Sequence, residues 1–183
     1  MSAERVVYSF PLEALAEARK GGPLNAQVRS RFGSSIPPHV HAFLSGEKMT
    51  QDQTAPLMES LAALVGRPLP CESFSRLRTT DCEIVDAALL RIGFPPEFSI
   101  ARLTLICPPI SGLINRFDAP LVGHVSSGIL DEVERRFGGD FPHDEDNDIV
   151  DGVLSEMEDW FVMLRRQQRE TSYRLGLLGL YFY

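Results

Sequence analysis

The chain has 183 residues and a net charge of −7, and its composition, 44% hydrophobic and 23% charged, is that of an ordinary globular domain. The acidic balance argues against nucleic acid as a partner, because binding to a phosphate backbone requires a surplus of Lys and Arg. No hydrophobic run has the length of a membrane span, and no signal-peptide core follows the first residues, so neither a membrane partner nor export is expected.

The cysteines indicate a reducing compartment. Cys71, Cys82 and Cys107 lie far apart in the sequence, without the close pairs that are typical of metal sites. An odd number of thiols in apolar surroundings is typical of reduced cysteines, so a cytoplasmic protein is expected.

The first third of the sequence predicts one strand followed by helices. Residues 5–10 are rich in β-branched and aromatic types and predict a strand, and Pro11 suits the first turn of the helix after it. Apolar residues at helical spacing predict a short helix at 24–32, and Pro37-Pro38 begins a further segment that carries Val40, Phe43 and Leu44. A longer helix is predicted from Thr54, whose hydroxyl can cap its first turn.

The middle of the chain predicts a second capped helix and a second strand. Residues 69–78 look irregular. Thr80 and Glu83 have the spacing of a capping box, and apolar residues then follow the helical period. Residues 101–107 alternate well enough to predict a strand, and residues 110–123 resemble a loop.

The last third carries the strongest periodic signal. Residues 129–137 predict a helix, and residues 149–164 place a long apolar stripe at period 3.6, with acidic residues before it and arginines after it. Residues 175–183 are almost wholly apolar. They predict a strand that is buried on both faces, because such a segment would not stay exposed to water.

These elements predict one α+β domain that covers residues 1–183. Six or seven helices surround a small sheet in this interpretation. Its strands are the opening segment at 5–10, a segment centred on Leu103, and the C-terminal segment at 175–183.

Four short stretches, spread over most of the chain, carry a resemblance to known proteins. They are residues 7–15 (VYSFPLEAL), residues 64–70 (LVGRPLP), Pro108-Pro109 with residues 117–124 (FDAPLVGH), and the apolar and aromatic C-terminus. On these motifs the chain resembles a family of uncharacterised, mainly actinobacterial, bacterial proteins that carry a domain of unknown function. The resemblance implies a single bacterial domain. It implies no catalytic residue, because the family has no established activity.

The most site-like stretch contains Asp118 and His124. A carboxylate and an imidazole on a loop can carry out acid–base chemistry, and the nearby Arg116 could bind an anion. The alternative interpretation is that Asp118 caps a turn and that His124 is a hydrogen-bonded polar residue at the edge of an element. No nucleophile motif accompanies the pair, which favours this alternative.

His39 and His41 are the only close pair of candidate metal ligands with imidazole side chains. In an extended segment both would lie on one face, whereas in a helix they would diverge. The sequence offers no third ligand beside them, so neither a metal nor another cofactor is predicted.

The run that precedes the last long helix is acidic, with Asp144, Glu145 and Asp146 at its centre. A calcium loop of the EF-hand type would need Gly in place of Ile149 and Glu in place of Ser155. The run is therefore interpreted as a solvated loop that favours the start of the helix, or as a docking surface for a basic protein.

Two hypotheses about function follow. The first is a non-enzymatic protein that binds another protein, such as an immunity-like or accessory bacterial protein, with Asp144, Glu145 and Asp146 in the contact. The second is a small enzyme that uses Asp118 and His124. The acidity of the chain and the lack of a catalytic motif favour the first.

Overall fold

The computed structural model describes residues 4–105, 121–143 and 147–182 of the chain. The described residues form an α+β fold with four strands and nine helices. The strands are β1 (Glu4–Phe10), β2 (Arg67–Pro68), β3 (Leu121–Val125) and β4 (Gly176–Phe182). Both terminal strands that the sequence predicts are confirmed.

The helices fall in two groups along the chain. The first group is α1 (Leu12–Ala18), α2 (Pro23–Phe32), α3 (Pro38–Leu44) and α4 (Gln51–Val65). The second group is α5 (Glu72–Ser75), α6 (Thr79–Ile92), α7 (Ile100–Leu105), α8 (Ser127–Phe137) and α9 (Asp148–Gln168). Within these described segments, no helix combines the length and the apolar character that crossing a membrane requires.

The strands form one antiparallel sheet in the order β2-β1-β4-β3. The longest pairing joins β1 to β4, with Val6 opposite Leu180 and Phe10 opposite Gly176. The other edge of β4 pairs with β3, where Val125 lies opposite Leu177. The C-terminal strand is therefore a central strand of the sheet, which explains its almost continuous apolar sequence.

Each face of the sheet is covered by one group of helices. On one face Val7 and Leu177 join a buried cluster with residues of α5 to α9, which we call the C-terminal core. On the opposite face Phe10 and Leu178 join a cluster with residues of α1 to α4, which we call the N-terminal core. Alternate residues of each strand thus enter different cores, as the period of two along a strand requires.

Helix α9 is the main element of the C-terminal core. It has 21 residues, and Val150, Met157 and Trp160 on its buried stripe are fully enclosed. Its first turn is capped by Asn147, whose Oδ1 accepts hydrogen bonds from the backbone N–H groups of residues 149 and 150, both at 3.2 Å. The periodic stripe in the sequence is confirmed as a core-facing helix.

A buried carboxylate on α9 holds the segment that leads into α5. Glu156 accepts hydrogen bonds from the backbone N–H groups of Ser73 and Phe74, the latter at 2.9 Å. One turn further along α9, the indole N–H of Trp160 donates to the carbonyl oxygen of Pro70 at 2.5 Å. Since backbone donors already surround the Glu156 carboxylate, its role is to cap α5.

The predicted strand around Leu103 is wrong, because residues 100–105 form α7. The Asp86 carboxylate, on α6, accepts hydrogen bonds from the N–H groups of Ile100 at 2.6 Å and Ala101 at 3.2 Å, and from the Ser99 hydroxyl at 2.7 Å. A side chain from another helix thus satisfies the free donors at the start of α7. Local alternation could not reveal this distant cap.

The third long strand of the sheet is β3, which begins inside the segment that the sequence analysis assigned to a loop. Its Gly123 lies opposite Gly179 of β4. A Cβ atom at either glycine would overlap the Leu103 backbone carbonyl of α7. The paired glycines therefore let the end of α7 lie directly on the sheet, a contact that any larger residue would block.

Two helices begin at earlier residues than the sequence predicts. Helix α4 begins before Thr54, and the Gln53 side chain accepts a hydrogen bond from the Thr50 N–H at 2.9 Å. Helix α6 begins at Thr79. The capping hydrogen bond runs from the backbone N–H of Arg78 to the carboxylate of Asp81, and not of Glu83, at 2.7 Å. The segment at 69–78, predicted to be irregular, contains the single turn of α5.

Candidate functional site

The candidate acid–base pair lies partly outside the described residues. His124 is half-buried in β3, where it pairs with Leu178 and so faces the N-terminal core. Asp118 and Arg116 both lie outside the described part of the chain. The pairing of Asp118 with His124 therefore stays a prediction from the sequence.

The histidine pair lies on helix α3. His39 and His41 are two residues apart on a helix and therefore point in widely different directions. The Nε2 atom of His39 lies 2.9 Å from the Ser60 hydroxyl, and burial lowers the pKa of this histidine. Within residues 4–105, 121–143 and 147–182, no group of three His, Cys, Asp or Glu side chains is arranged to hold a metal ion.

The two described cysteines are unsuited to nucleophilic chemistry. Burial raises the pKa of the Cys71 thiol to about 12, so the thiolate form is strongly disfavoured. Cys82 is fully enclosed in the C-terminal core, where it packs as a small apolar residue. The third thiol, Cys107, lies outside the described residues.

Arg5 is a buried cation on the C-terminal-core side of the sheet. Its guanidinium lies 4.4 Å from the centre of the Tyr181 ring and donates to the carbonyl oxygen of Leu77. Its Nε and Nη2 atoms have no hydrogen-bond partner among the described residues. The face of the Tyr181 ring and the Leu77 carbonyl offset part of the free energy that burying the Arg5 charge costs. Arg5 lines none of the three cavities described below.

The negative charge of the chain is concentrated in one stretch. Residues 140–159 contain nine Asp and Glu and no Lys or Arg, whereas the other 163 residues carry 16 acidic and 18 basic residues. The net charge of −7 therefore arises wholly from this stretch. Asp144, Glu145 and Asp146 belong to it but lie outside the described residues.

Apart from the buried Glu156, the described acidic side chains of this stretch lie within residues 148–159 of α9 and on the loop before it. We call this region the acidic end; its described members are Asp140, Asp148, Asp151, Glu158 and Asp159. Asp148 and Asp151 lie in the first turn of α9, where the helix dipole favours negative charge. The helix itself is anchored in the C-terminal core, so the acidic end is presented on a fixed support.

His143 is clamped between two carboxylates of the acidic end. Its Nδ1 atom lies 2.5 Å from Asp151 Oδ1, and its Nε2 atom lies 3.6 Å from Glu158 Oε1. Glu158 also accepts a hydrogen bond from the Phe141 backbone N–H at 2.9 Å. The hydrogen bond to Asp151 is the main cause that raises the pKa of His143, and the charges of Asp151, Glu158 and Asp140 add to it.

We expect His143 to stabilise the fold at mildly acidic pH and to lose this effect as the pH rises. The pKa of His143 is higher in the folded state than in the unfolded state, where it is near 6.5. Its contribution to stability is therefore complete below pH 6.5 and is lost as the pH rises through the pKa of the folded state. Melting temperatures of the wild type and His143→Asn should therefore differ more at pH 5.5 than at pH 8.5.

Two substitutions on α9, each of which removes one negative charge, test whether this pH effect depends on the contact between His143 and Asp151. Asp151→Asn removes the hydrogen-bonded partner of His143 and should lower its pKa, as measured by NMR titration of the imidazole protons. Asp159→Asn makes the same change in net charge at an exposed position and should lower that pKa less. Equal shifts in the two variants would contradict a specific clamp.

A small cavity opens beside the acidic end. It has a volume of 260 Å³, and its walls include Leu77 and the half-exposed Ile149, with Asp81 and Asp148 as acidic members. The one basic residue in its wall, Arg76, forms an ion pair with Glu72 at 2.8 Å. Apolar walls beside two carboxylates suit a Lys or Arg side chain, whose stem is apolar and whose head is cationic.

A larger cavity lies at the opposite end of α9. It has a volume of 350 Å³ and is enclosed by α2, the end of α4, strands β1 and β2, and the residues that follow α9. Its lining includes Arg31, Arg67, Gln167 and Glu170. A third cavity, of 250 Å³, lies between α8 and α9 and is lined by Leu130, Phe161 and neighbouring residues.

Comparisons with known proteins assign none of these sites, because no family model, curated protein or solved structure matches the chain. The resemblance to the bacterial family therefore stays a prediction from the sequence motifs.

Proposed function

We propose that the protein functions by binding another protein, and that the acidic end receives a basic segment of this partner. The observation that carries the proposal is the concentration of the entire net negative charge in residues 140–159. A role as an immunity-like or accessory bacterial protein would use such a surface.

The geometry of the acidic end supports this proposal in two ways. Asp148 and Asp151 project from a helix that is fixed by its buried stripe, so binding would not require the carboxylates of this helix to be ordered first. The adjacent cavity, with Ile149 and Leu77 in its wall, offers contact to the stem of a basic side chain whose head reaches Asp148 or Asp81.

The charge pattern also predicts how binding depends on salt. A patch of one sign attracts an oppositely charged partner before contact and raises the association rate, and dissolved salt screens this attraction. The association rate should therefore fall as the salt concentration rises, while the dissociation rate changes less.

The proposal is tested by reversing the charge of the predicted contact. Replacing Asp144, Glu145 and Asp146 by Lys should leave the melting temperature nearly unchanged, because a contiguous run of charged residues is usually solvated and solvated charges contribute little to stability. The same replacement should slow association with the partner and flatten its salt dependence, as measured by surface plasmon resonance at several salt concentrations.

A matched control changes the net charge equally at a distance from the acidic end. Glu17, Glu47 and Glu97 are exposed and lie on other parts of the chain. A protein that the wild type recovers from lysate of the source organism is then compared for binding to the acidic-end variant, which should bind it more weakly, and to the Glu17, Glu47 and Glu97→Lys control, which should bind it like the wild type.

Two results would overturn the proposal. Equal loss of binding in both triple variants would show a general effect of net charge. Turnover of a substrate by the purified protein, abolished by Asp118→Asn or His124→Ala, would replace it with the acid–base hypothesis.

A further inference from the structure

The 350 Å³ cavity is built from parts of the fold that are far apart in sequence and lies well away from the acidic end. α9 is about 30 Å long at 1.5 Å per residue, and the cavity adjoins its C-terminal end. Its walls come from both helical groups and from the sheet edge at β2. A ligand here would contact both groups, independently of any partner at the start of α9.

Two polar side chains lie buried in the lining of the cavity. Ser9, on β1, and Gln167, in the last turn of α9, are only 2% and 6% exposed. The Ser9 hydroxyl donates to Gln167 Oε1, while the amide nitrogen of Gln167 makes no hydrogen bond to a described residue. The amide nitrogen of Gln167 is thus available as a hydrogen-bond donor to a group inside the cavity.

The remaining polar walls consist mostly of hydrogen-bond donors. Gln27 and Arg31 line the cavity from α2, Arg67 lines it from β2, and Tyr173 lines it from the segment after α9. Arg31 uses one N–H group on the carbonyl oxygen of Leu64, at the end of α4. Two arginines, two glutamines and a tyrosine therefore line the same space.

The carboxylate in the cavity wall, Glu170, is bound to one of these guanidinium groups. Its Oε2 atom lies 2.5 Å from Arg67 Nη1, and the hydrogen bond from Arg67 lowers the pKa of Glu170. Both side chains are about half exposed, so the ion pair contributes little to stability and can be exchanged. The structure thus shows Arg67 holding a carboxylate at the edge of the cavity.

We propose that this cavity binds a small organic anion, whose oxyanion group takes the place of Glu170 on Arg67. The planar guanidinium of Arg67 matches a carboxylate or phosphate group, and the free amide of Gln167 supplies a further donor. The carbon skeleton of the ligand lies against Leu24, Leu64 and Leu175, which form the apolar part of the wall.

Binding is measured by calorimetry with sodium succinate and inorganic phosphate as probes, at an ionic strength held constant with NaCl. Saturable binding of succinate identifies a carboxylate ligand, and tighter binding of phosphate identifies a phosphate ester. Either result supports the oxyanion site. A lack of saturation by both probes up to about 20 mM, a concentration far above the usual range for metabolites, would overturn it.

Two substitutions in the cavity should change affinity in opposite directions. Glu170→Gln removes the competitor for Arg67 and should tighten binding of the probe, whereas Arg67→Gln should weaken it tenfold or more. Arg76→Gln is the matched control, because Arg76 forms a similar exposed ion pair with Glu72 outside the cavity. Equal weakening by Arg67→Gln and Arg76→Gln, or weaker binding to Glu170→Gln, would show unspecific attraction and refute the site.

Discussion

Replacing Gly179 by alanine is expected to prevent the native packing of α7 on the sheet. The new Cβ atom would overlap the backbone carbonyl of Leu103, and a backbone atom cannot move aside as the end of a flexible side chain can. We expect a loss at or above the upper end of the roughly 1–3 kcal/mol that overpacking a core usually costs. Urea denaturation followed by circular dichroism would measure it.

The matched control for this substitution is Gly128→Ala. Gly128 lies in the first turn of α8, and a Cβ atom there would meet nothing within 4 Å. Because alanine favours a helix by up to about 1 kcal/mol over glycine, this variant should be as stable as the wild type or more stable. Similar stability of the Gly179 and Gly128 variants would contradict the close contact between α7 and the sheet.

Replacing Trp160 by alanine should cost about 3–5 kcal/mol of unfolding free energy, the range for removing a large buried aromatic side chain. Trp160 is fully enclosed and meets the Phe74 ring edge-on, with 5.4 Å between the ring centres. Denaturation curves of the variant give the loss. Because Trp160 is the only tryptophan of the chain, its native fluorescence should also be blue-shifted.

Two further variants separate the causes of this loss. Trp160→Phe keeps a ring in the core but leaves the Pro70 carbonyl without its indole donor, which should cost about 1–3 kcal/mol for the unpaired group and the smaller volume. Val162→Ala shortens a neighbouring side chain that is 55% exposed and should change stability by less than about 0.5 kcal/mol. A native emission maximum like that of free tryptophan would refute the burial.

The elements that the sequence predicts best are those whose own pattern matches their final environment. The apolar stripe of α9 runs from Val150 to Leu164, about four turns at 3.6 residues per turn, with one face in the core, so its period is unambiguous. Residues 176–182 are apolar on both faces because the strand they form lies between two cores. In both cases local sequence and tertiary structure favour the same conformation.

The errors occur where a distant residue decides the conformation. Residues 100–105 alternate like a strand, but Asp86 caps them as a helix. Gly123 makes β3 look like a loop, since glycine disfavours a strand, and the reason for this glycine is the backbone of α7. Neither partner can be identified from the local pattern.

The candidate sites also differ in whether the local sequence is enough to reveal them. The acidic stretch can be read directly from the sequence, because its charges are contiguous. The large cavity cannot, since its buried pair, Ser9 and Gln167, lies on the first strand and the last helix. The clamp on His143 depends on Asp151 and Glu158 lying on one side of α9 next to the preceding loop, which only the structure shows.

The position of β4 has a consequence for biosynthesis. This strand is the last described element to leave the ribosome, yet it separates β1 from β3 and supplies the only described neighbour of β3. Before residues 176–182 are made, β2, with two residues, is the only described strand with which β1 can pair. The apolar residues of β1 and β3 then lack β4, the strand that lies between them in the folded sheet. The nascent chain therefore carries unpaired strand edges until residues 176–182 have been made, a state that is prone to aggregate and to engage chaperones.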